Sequence, residues 1–517
     1  MLSKLAALFQ VRRRDIPGAL TWMSLGPDEN SKNALMIQFF TWDSAHPDMS
    51  WWKHFESEVP RLAGLGVTQV WLPPPNKGTS NKSQGYDAYD LWDLGEFHQK
   101  GTTSTRWGTK DELLSAISVA EQHGIDVLID AVMNHKVGAD RTEFFDVIPV
   151  DNSNRTREIG PAKKIEGWTA FDFSSRGGKY SKLRWNQEHF TGIDWDHRTR
   201  TRGVYKIVGK GHQGWSRNVD DELGNYDYLL GADVDFRHPD VQKDMYNWSD
   251  WVLRTTGGAG FRLDAIKHMD RKFLLQWIKQ LRTRDGRSRA FMVAEYWSPI
   301  LPRVLSWVHA FQGQTAFFDV PLHDNFYHAS RRRFDLRRIL DNTLLKARPT
   351  DAVTFVDNHE LILFSNSKSV NPWRVGPSFK LQAYALILLR AGGHPCVFYG
   401  DLYPNKECYH ASTAQGLRLL IRARKDFAHG PSQDYFEHPS CIGFVRTGDG
   451  PRDGCVVLVS KRDEKSEPSV YERQTNTEFV GLFEPDKHVR VDSDGWGTFT
   501  CRPGSLEVWI PRIPVAL

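Results

Sequence analysis

Several short stretches of this 517-residue chain place carboxylate and basic side chains within a few positions of one another. The stretch GFRLDAIKH contains Arg262, Asp264, Lys267 and His268, and VAEYW places Glu295 after a hydrophobic run. Two carboxyl groups brought together can cleave a glycosidic bond, because one attacks the anomeric carbon while the other protonates the leaving oxygen. We expect Asp264 and Glu295 to form this pair.

The surroundings of each carboxyl group decide its role. A nucleophile must be ionised, and Arg262, two residues before Asp264 and therefore on the same face of a strand, is expected to hold the pKa of Asp264 down. The acid must keep its proton near neutral pH, and Tyr296 and Trp297 are expected to give Glu295 an apolar niche. The sequence thus predicts different pKa values for the two groups.

Two further stretches carry polar residues behind hydrophobic runs. DVLIDAVMNH contributes Asn134 and His135, and AVTFVDNHELILF contributes Asn358, His359 and Glu360. Each of these residues alone could be an ordinary structural polar group. They can act together only if the fold brings the ends of separate hydrophobic runs to one place.

Eight runs of apolar, β-branched and aromatic residues recur between amphipathic segments. They are ALMIQFF, VTQVWLPP, IDVLIDAV, GAGFRLDA, RAFMVAEY, TAFFDVPL, AVTFVDN and PCVFYGD. Near-continuous apolar strands are typical of a parallel sheet that is covered on both faces. The alternation therefore predicts an α/β fold, a closed (β/α)8 TIM barrel, whose active site lies at the C-terminal ends of the strands.

The alternation is interrupted once, after the third predicted strand. Residues 136–238 are too many for a βα loop and are rich in Trp, Gly and Asp, which predicts an inserted domain beside the active site. From about residue 431 the chain changes to short strands with Gly and Asp turns, which predicts a C-terminal all-β sandwich over 431–517. Residues 1–135 and 239–430 are left to form the barrel.

Composition argues against other classes of protein. The 67 basic and 63 acidic residues give a net charge of +4 without a long basic tract, so no nucleic-acid partner is expected. No apolar run approaches the roughly 20 residues that span a bilayer, so no membrane association is expected. The five cysteines show no CxxC spacing and the N-terminal residues lack the charge order of an export signal, which favours a cytoplasmic location. No protein partner can be read from the sequence.

The polar stretches resemble a known family. DVLIDAVMNH, GFRLDAIKH, VAEYW and FVDNHE resemble, in order, the four short conserved regions of the α-amylase family, glycoside hydrolase family 13. GYDAYDLWDLGEFHQKGT, NYDYLLGADVDFRHPDV and DSDGWGTFT resemble bacterial-type liquefying α-amylases and their intracellular fungal relatives. The resemblance extends over residues 35–512.

The resemblance implies a role for each matching residue. Asp264 would be the nucleophile, Glu295 the acid/base and Glu360 the third catalytic carboxylate. Arg262 would orient the nucleophile. The residues implied to bind the sugar are Tyr86, His135, Arg262, Lys267, His268 and His359. The implied substrate is an α-1,4-glucan or maltooligosaccharide, cleaved internally through a covalent intermediate with retention of configuration.

The resemblance also implies a calcium ion, Ca2+, that clamps the inserted domain to the barrel. Its ligands would be the Asn134 side chain, the carboxylates of Asp227 and Asp233, and the backbone carbonyl of His268. These are all oxygen atoms, as calcium prefers.

Bacterial relatives bind further metal nearby, and this chain departs from them there. Ser216 and Arg237 stand where those relatives have aspartates. We therefore expect one calcium ion, with Asp194 and Asp235 left as polar or salt-bridging residues.

Glu360 departs from the family pattern, which has aspartate after the Asn-His pair. The extra methylene moves the carboxylate by about an ångström, and a displacement of that order can cost about 10²-fold in rate. The next residues, Leu361–Phe364, replace a polar loop. Two alternatives to hydrolysis therefore stay open: a 4-α-glucanotransferase, in which a sugar hydroxyl replaces water, and a catalytically weakened glucan-binding or regulatory protein.

Overall fold

A computed structural model describes residues 17–27, 33–331, 334–363, 373–461, 469–471 and 476–512. Within these ranges, eight parallel strands close into a barrel. In chain order, barrel strands one to eight are Met36–Gln38, Gln69–Trp71, Asp126–Ala131, Gly260–Leu263, Phe291–Ala294, Ala316–Phe318, Ala352–Phe355 and His394–Phe398. Each overlaps one of the hydrophobic runs, so the predicted (β/α)8 TIM barrel is confirmed.

The barrel strands are buried on both faces, which explains why their sequences are apolar throughout. Strand four begins at Gly260, which lies between Leu128 of strand three and Phe291 of strand five. A Cβ atom at Gly260 would lie 2.0 Å from the carbonyl oxygen of Phe291, so only glycine fits there. This close approach brings strands four and five together at the start of the strands that lead to Asp264 and Glu295.

Helices follow the barrel strands. The helices have the bounds Trp51–Gly64, Lys110–Gln122, Pro239–Thr256, Arg271–Arg282, Leu301–Phe311, Val320–Arg331, Leu344–Ala347, Glu360–Leu363, Pro377–Leu389, Tyr399–Leu402 and Ala411–Phe427. Helix Lys110–Gln122 starts at a capping box formed by Thr109 and Glu112. It ends before Gly124, whose φ of 74° suits the residue that follows a helix.

The chain between barrel strands three and four forms an antiparallel sheet, here called the inserted sheet. In sheet order its strands are His135–Lys136, Ala232–Val234, Phe190–Asp196, Thr201–Val208, Arg141–Val150 and Lys163–Ala170. Strand His135–Lys136 follows barrel strand three within a few residues and pairs with Ala232–Val234. The inserted sheet therefore starts beside the C-terminal mouth of the barrel.

The C-terminal part of the chain is all-β, as predicted. One antiparallel sheet contains, in order, Ser432–His438, Cys441–Arg446, Cys455–Ser460, Leu506–Pro511, Glu478–Gly481 and His488–Arg490. Ser469–Tyr471 pairs with Trp496–Thr498 in a second sheet. The residue boundaries of the three domains stay a prediction. In the part of the chain that the structure covers, no helix is both long and apolar enough to cross a membrane.

Candidate active site

The guanidinium group of Arg262 is the centre of the polar cluster at the mouth of the barrel, and it is fully buried. Its Nη1 donates to Asp130 Oδ1 at 2.8 Å and to Asp264 Oδ1 at 2.6 Å. Its Nη2 lies 2.9 Å from Glu295 Oε2. Asp130 is directly opposite Arg262 in the strand register, and Glu295 follows strand five. One cation therefore ties together strands three, four and five.

Glu360 brings a third carboxylate to this cluster. Carboxylate oxygens of Asp264, Glu295 and Glu360 all lie within 4.8 Å of one another. Asn358 Oδ1 accepts the N–H groups of Glu360 and Leu361, each at 3.1 Å, and so caps the short helix on which Glu360 stands. The three predicted catalytic carboxylates are thus brought together.

Buried ion pairs anchor Asp357, three residues before Glu360. Lys380 Nζ lies 2.7 Å from Asp357 Oδ2 and 2.6 Å from Asp401 Oδ1. Tyr384 also donates its hydroxyl to Asp401, at 2.8 Å. Because Asp357 follows barrel strand seven and Asp401 follows strand eight, these bonds fix the two strand ends relative to each other.

The buried carboxyl groups have raised pKa values. Burial raises the pKa of Asp264 to about 6, with Arg262 lowering it and Asp130 raising it further. Burial also raises the pKa of Glu295 despite Arg262. Burial and the charge of Glu295 raise the pKa of Glu360 well above its usual range. The expectation of a depressed pKa at Asp264 is therefore wrong, because one guanidinium shared among several carboxylates does not outweigh the loss of water.

Glu295 is positioned by strained backbone. Ala265 has φ 47° and ψ 40°, a left-handed conformation that costs a β-carbon-bearing residue about 1–2 kcal/mol. Its N–H donates to Glu295 Oε2 at 3.1 Å. Trp297 lines the cavity beside Glu295, as the predicted apolar niche requires. Tyr296 instead directs its hydroxyl to Asp220.

Three predicted sugar-binding residues line the same mouth. Tyr86 donates its hydroxyl to Asp130 at 2.8 Å, and its carbonyl oxygen lies 2.7 Å from His135 Nε2. Nδ1 of His135 and both ring nitrogens of His359 are buried without a hydrogen-bond partner among the described residues. Such groups cost about 1–3 kcal/mol each unless something binds them. They are therefore suited to meet ligand hydroxyls.

Lys267 and His268 lie on the turn Ile266–His268 after strand four, where they face the inserted region. Lys267 forms an ion pair with Glu222. His268 Nδ1 lies 2.8 Å from the carbonyl oxygen of Tyr226, and burial lowers the pKa of His268 to about 3. A neutral His268 is thus fixed against the inserted region.

Three of the predicted calcium ligands, Asn134, Asp227 and Asp233, interact with one another after strand three. Asn134 Nδ2 donates to Asp233 Oδ1 at 3.2 Å, whereas Asn134 Oδ1 is buried and unpartnered among the described residues. Burial raises the pKa of Asp227 to about 8, and burial together with the charge of Asp227 raises the pKa of Asp233 well above its usual range. The ring of His268 contacts the carbonyl oxygen of Tyr226, the residue that precedes Asp227 in the chain. Adjacent buried carboxylates with an orphaned amide oxygen fit an oxygen-liganded divalent cation.

Beside the predicted calcium ligands, Arg237 and Ser216 bond to acidic side chains. Arg237 Nε lies 2.7 Å from Asp235 Oδ1, so Asp235 is salt-bridged, as the sequence indicated. Ser216 donates its N–H to Asp227 at 2.9 Å and its hydroxyl to Asp270 at 2.7 Å. Arg237 therefore supplies a positive charge within the chain at this place.

Sequence reasoning missed two aromatic residues of the site. Trp71 donates its indole N–H to Asp130 Oδ2 at 2.9 Å, and the guanidinium of Arg262 lies 4.8 Å from its ring centroid. Its position at the end of predicted strand two was the available signal. Trp42 lies beyond strand one and stacks near Tyr86. Nothing in the sequence around Trp42 indicates this contact.

Comparison with known proteins gives consistent matches. Residues 52–414 match the family model described as alpha amylase, catalytic domain. The chain is 41% identical over 486 residues to an α-amylase of Geobacillus stearothermophilus, covering 93% of this chain and 87% of that protein. It is 39% identical over 500 residues to the cytoplasmic α-amylase of Escherichia coli K12, covering 93% and 99%.

A further relative and a solved structure agree with these matches. The glucan 1,4-alpha-maltohexaosidase of Bacillus sp. strain 707 is 38% identical over 499 residues, covering 95% of each chain. The crystal structure of an α-amylase from Geobacillus thermoleovorans complexed with acarbose superimposes with a TM-score of 0.60 at 17% identity, covering 94% of this chain and 99% of the other. That likeness concerns the fold.

Replacing Asp130 with Asn is expected to move the acidic limb of the activity to lower pH. Asp264 can attack only as a carboxylate, so kcat/KM should rise with pH through its pKa of about 6. The negative charge of Asp130 raises that pKa, and its removal lowers it. The measurement is kcat/KM against pH for the wild type, Asp130→Asn and the exposed control Asp285→Asn. A midpoint that stays or moves upward in Asp130→Asn contradicts this account.

Proposed function

The chain belongs to the α-amylase family, and from this premise we propose that it hydrolyses internal α-1,4-glucosidic bonds of starch-like or glycogen-like glucans with retention of configuration. The observation that carries the proposal is the approach of three carboxylates to within 4.8 Å of one another. Retaining glycosidases hold their two catalytic carboxyl groups about 5 Å apart, whereas inverting ones hold them about 6.5–9.5 Å apart to admit a water.

In the first step, a carboxylate oxygen of Asp264 attacks the anomeric carbon. The bonding electrons move to the glycosidic oxygen, which takes the proton of Glu295 as the leaving sugar departs. Arg262 approaches Asp264 most closely, at 2.6 Å, and favours its ionised form. Burial raises the pKa of Glu295, which favours the protonated form that a general acid requires.

In the second step, the ionised Glu295 takes a proton from water, and the resulting nucleophile attacks the anomeric carbon. The bond to Asp264 breaks, and both carboxyl groups return to their starting states. Between the two steps Glu295 is negatively charged, and Arg262 Nη2, 2.9 Å away, stabilises that charge. Arg262 thus serves both carboxylates in turn.

The remaining groups hold the sugar. Burial and the charge of Glu295 raise the pKa of Glu360, which favours its protonated form, and a protonated carboxyl group can both donate to and accept from sugar hydroxyls. The unpartnered nitrogens of His135 and His359 would bind further hydroxyls. Tyr86 offers a ring face whose orientation is fixed by its bond to Asp130.

Water is the proposed acceptor of the covalent intermediate. The apolar residues after Glu360 left transfer to a sugar hydroxyl open as an alternative, but Leu361 is only 3% exposed and does not form an open surface. The side chains of Ile362 and Leu363, and Phe364 as a whole, lie outside the described residues. A cytoplasmic location is also proposed, because one relative is named a cytoplasmic α-amylase.

A calcium ion is proposed as the resident metal. Asn134, Asp227, Asp233 and the His268 carbonyl would hold it, and the buried, unpartnered Asn134 Oδ1 supports this assignment. When bound, the ion would neutralise two adjacent carboxylates whose pKa values are raised mainly by burial and, at Asp233, also by the charge of Asp227. It would thereby stabilise the junction between barrel and inserted sheet.

Replacing either catalytic carboxyl group should eliminate hydrolysis. Glu295→Gln is expected to lower kcat on maltoheptaose by at least about 10²-fold, because the proton donor is lost, and Asp264→Asn should abolish turnover. Both variants should remain folded, since Asn and Gln keep the side-chain size, although each loses an ion pair with Arg262 and should melt below wild type. Product analysis by chromatography completes the test. Chains longer than maltoheptaose would indicate transfer, and turnover within about tenfold of wild type in either variant would remove the assignment.

Glu360→Asp is expected to lower kcat by up to about 10²-fold, because shortening the side chain withdraws a carboxylate that already reaches Asp264 and Glu295. This sign is opposite to the sequence-based expectation of a misplaced Glu360, which stays a prediction. Steady-state kinetics of Glu360→Asp and Glu360→Gln decide between them. A rise in kcat in Glu360→Asp would favour misplacement, and unchanged turnover in both variants would show that Glu360 takes no part.

Removal of calcium should lower Tm. An ion that binds only the folded state at about 100 times its Kd stabilises that state by about 2.7 kcal/mol, so excess chelator should shift the melting curve downward. Elemental analysis should find one calcium per chain. Asp233→Asn should melt at low temperature with or without chelator, whereas the control Asp194→Asn should respond like wild type. An unchanged melting curve in chelator, with no calcium detected, would exclude the site.

A further inference from the structure

His359 is unusual among the proposed sugar-binding residues because none of the residues that the structure describes forms a hydrogen bond with its ring. It is completely buried, and neither of its ring nitrogens has a hydrogen-bond partner among the described residues. His135 and His268, in contrast, are each fixed by a bond to a carbonyl oxygen. The orientation of the His359 ring must therefore come from packing.

Aromatic rings surround His359. Phe40 lies 4.9 Å from it at a tilt of 51°, and Trp71 lies 5.6 Å away, edge-on at 85°. Tyr86 lies 5.1 Å away and nearly parallel, at 18°. Phe40 and Trp71 are themselves buried, so they limit where the imidazole ring can move without defining its plane.

Trp42 supplies the other parallel surface. Its ring is 6.0 Å from His359 at 11° and 5.6 Å from Tyr86 at 7°. The three rings thus form a set of offset-parallel neighbours, the arrangement that aromatic pairs favour. Trp42 stands four residues after the end of barrel strand one and is only partly buried, so it borders the mouth of the barrel.

Loss of Trp42 would affect its two neighbours differently. Tyr86 would still be held by the hydrogen bond from its hydroxyl to Asp130. His359 would keep only the tilted and edge-on contacts of Phe40 and Trp71 and the face of Tyr86, and its ring could rotate toward the space that the indole left. The imidazole nitrogens would then no longer point in one direction.

We propose that Trp42 is a positioning residue that acts through His359, holding the imidazole plane in which its nitrogens meet the sugar hydroxyls. This inference rests on the proposed function, since it assigns Trp42 to the same reaction. A misplacement of about an ångström at such a contact can cost about 10²-fold in rate. Trp42 itself takes no chemical part.

The test is a double-mutant cycle on maltoheptaose. Trp42→Leu should lower kcat/KM by roughly 10- to 100-fold, and Trp42→Phe, which keeps an aromatic face, should restore most of that loss. In the His359→Asn background, Trp42→Leu should add little, because the residue through which it acts is already gone. The control Trp22→Leu removes a similarly half-buried indole, which bonds to the carbonyl oxygen of Gly313 ahead of barrel strand six, and should leave kcat/KM unchanged.

Several results would overturn the proposal. They are a Trp42→Leu variant with wild-type kcat/KM, an equal loss in the His359→Asn background, and a failure of Trp42→Phe to restore activity. If Trp42→Leu melts well below wild type, Trp42→Met fills more of the space without an aromatic face and takes its place in the cycle. A wild type without turnover would remove the proposed function as well. Turnover that Glu295→Gln abolishes but the Trp42 variants leave intact would remove only this inference.

Discussion

The ion pairs of the buried Arg262 are the constraint on which the rest of the structure depends. A guanidinium removed from water is tolerable only when carboxylates reach it, and removing one partner of a buried pair costs about 3–5 kcal/mol. Those partners come from three neighbouring strands, with Asp130 and Arg262 directly opposite each other. The strands must therefore keep their register and end together. The close packing at Gly260 permits this, since no side chain separates strands four and five there.

Charge balance distinguishes the polar centres of this protein. At Lys77 the buried ammonium group lies beside Asp93 and also donates to backbone carbonyl oxygens, so the centre is satisfied by the chain alone. At Lys380 one ammonium group joins two carboxylates, and the guanidinium of Arg374, 3.7 Å from Asp357, adds a second positive charge. Around Arg262, carboxylates outnumber the cation and their pKa values rise. The centres with spare negative charge are those that need a proton or an external cation, and these are the centres proposed to function.

The sequence predicts the scaffold well and the fine positioning poorly. Eight apolar runs predict eight strands because burial on both faces demands such sequences. The spacing of Arg262 and Asp264 predicts that they share a face, since side chains alternate along a strand. The net pKa of Asp264 could not be predicted, because it depends on how many other groups share Arg262. The contact between Trp42 and His359 also could not be predicted, because 317 positions of sequence separate two residues that meet only in the closed barrel.

The end of barrel strand three links the two functional centres. Asp130 belongs to the Arg262 cluster, whereas Asn134 bonds to Asp233 in the proposed calcium site, and His135 pairs with Asp233 in the inserted sheet. Asp264 and Glu295 are held by ion pairs with Arg262 of the barrel itself, which do not require the inserted sheet. Among the described residues the ring of His135 forms no ion pair and is held by its bond to Tyr86. Loosening of the proposed calcium site would therefore disturb His135, proposed to bind sugar, before it disturbed Asp264 and Glu295.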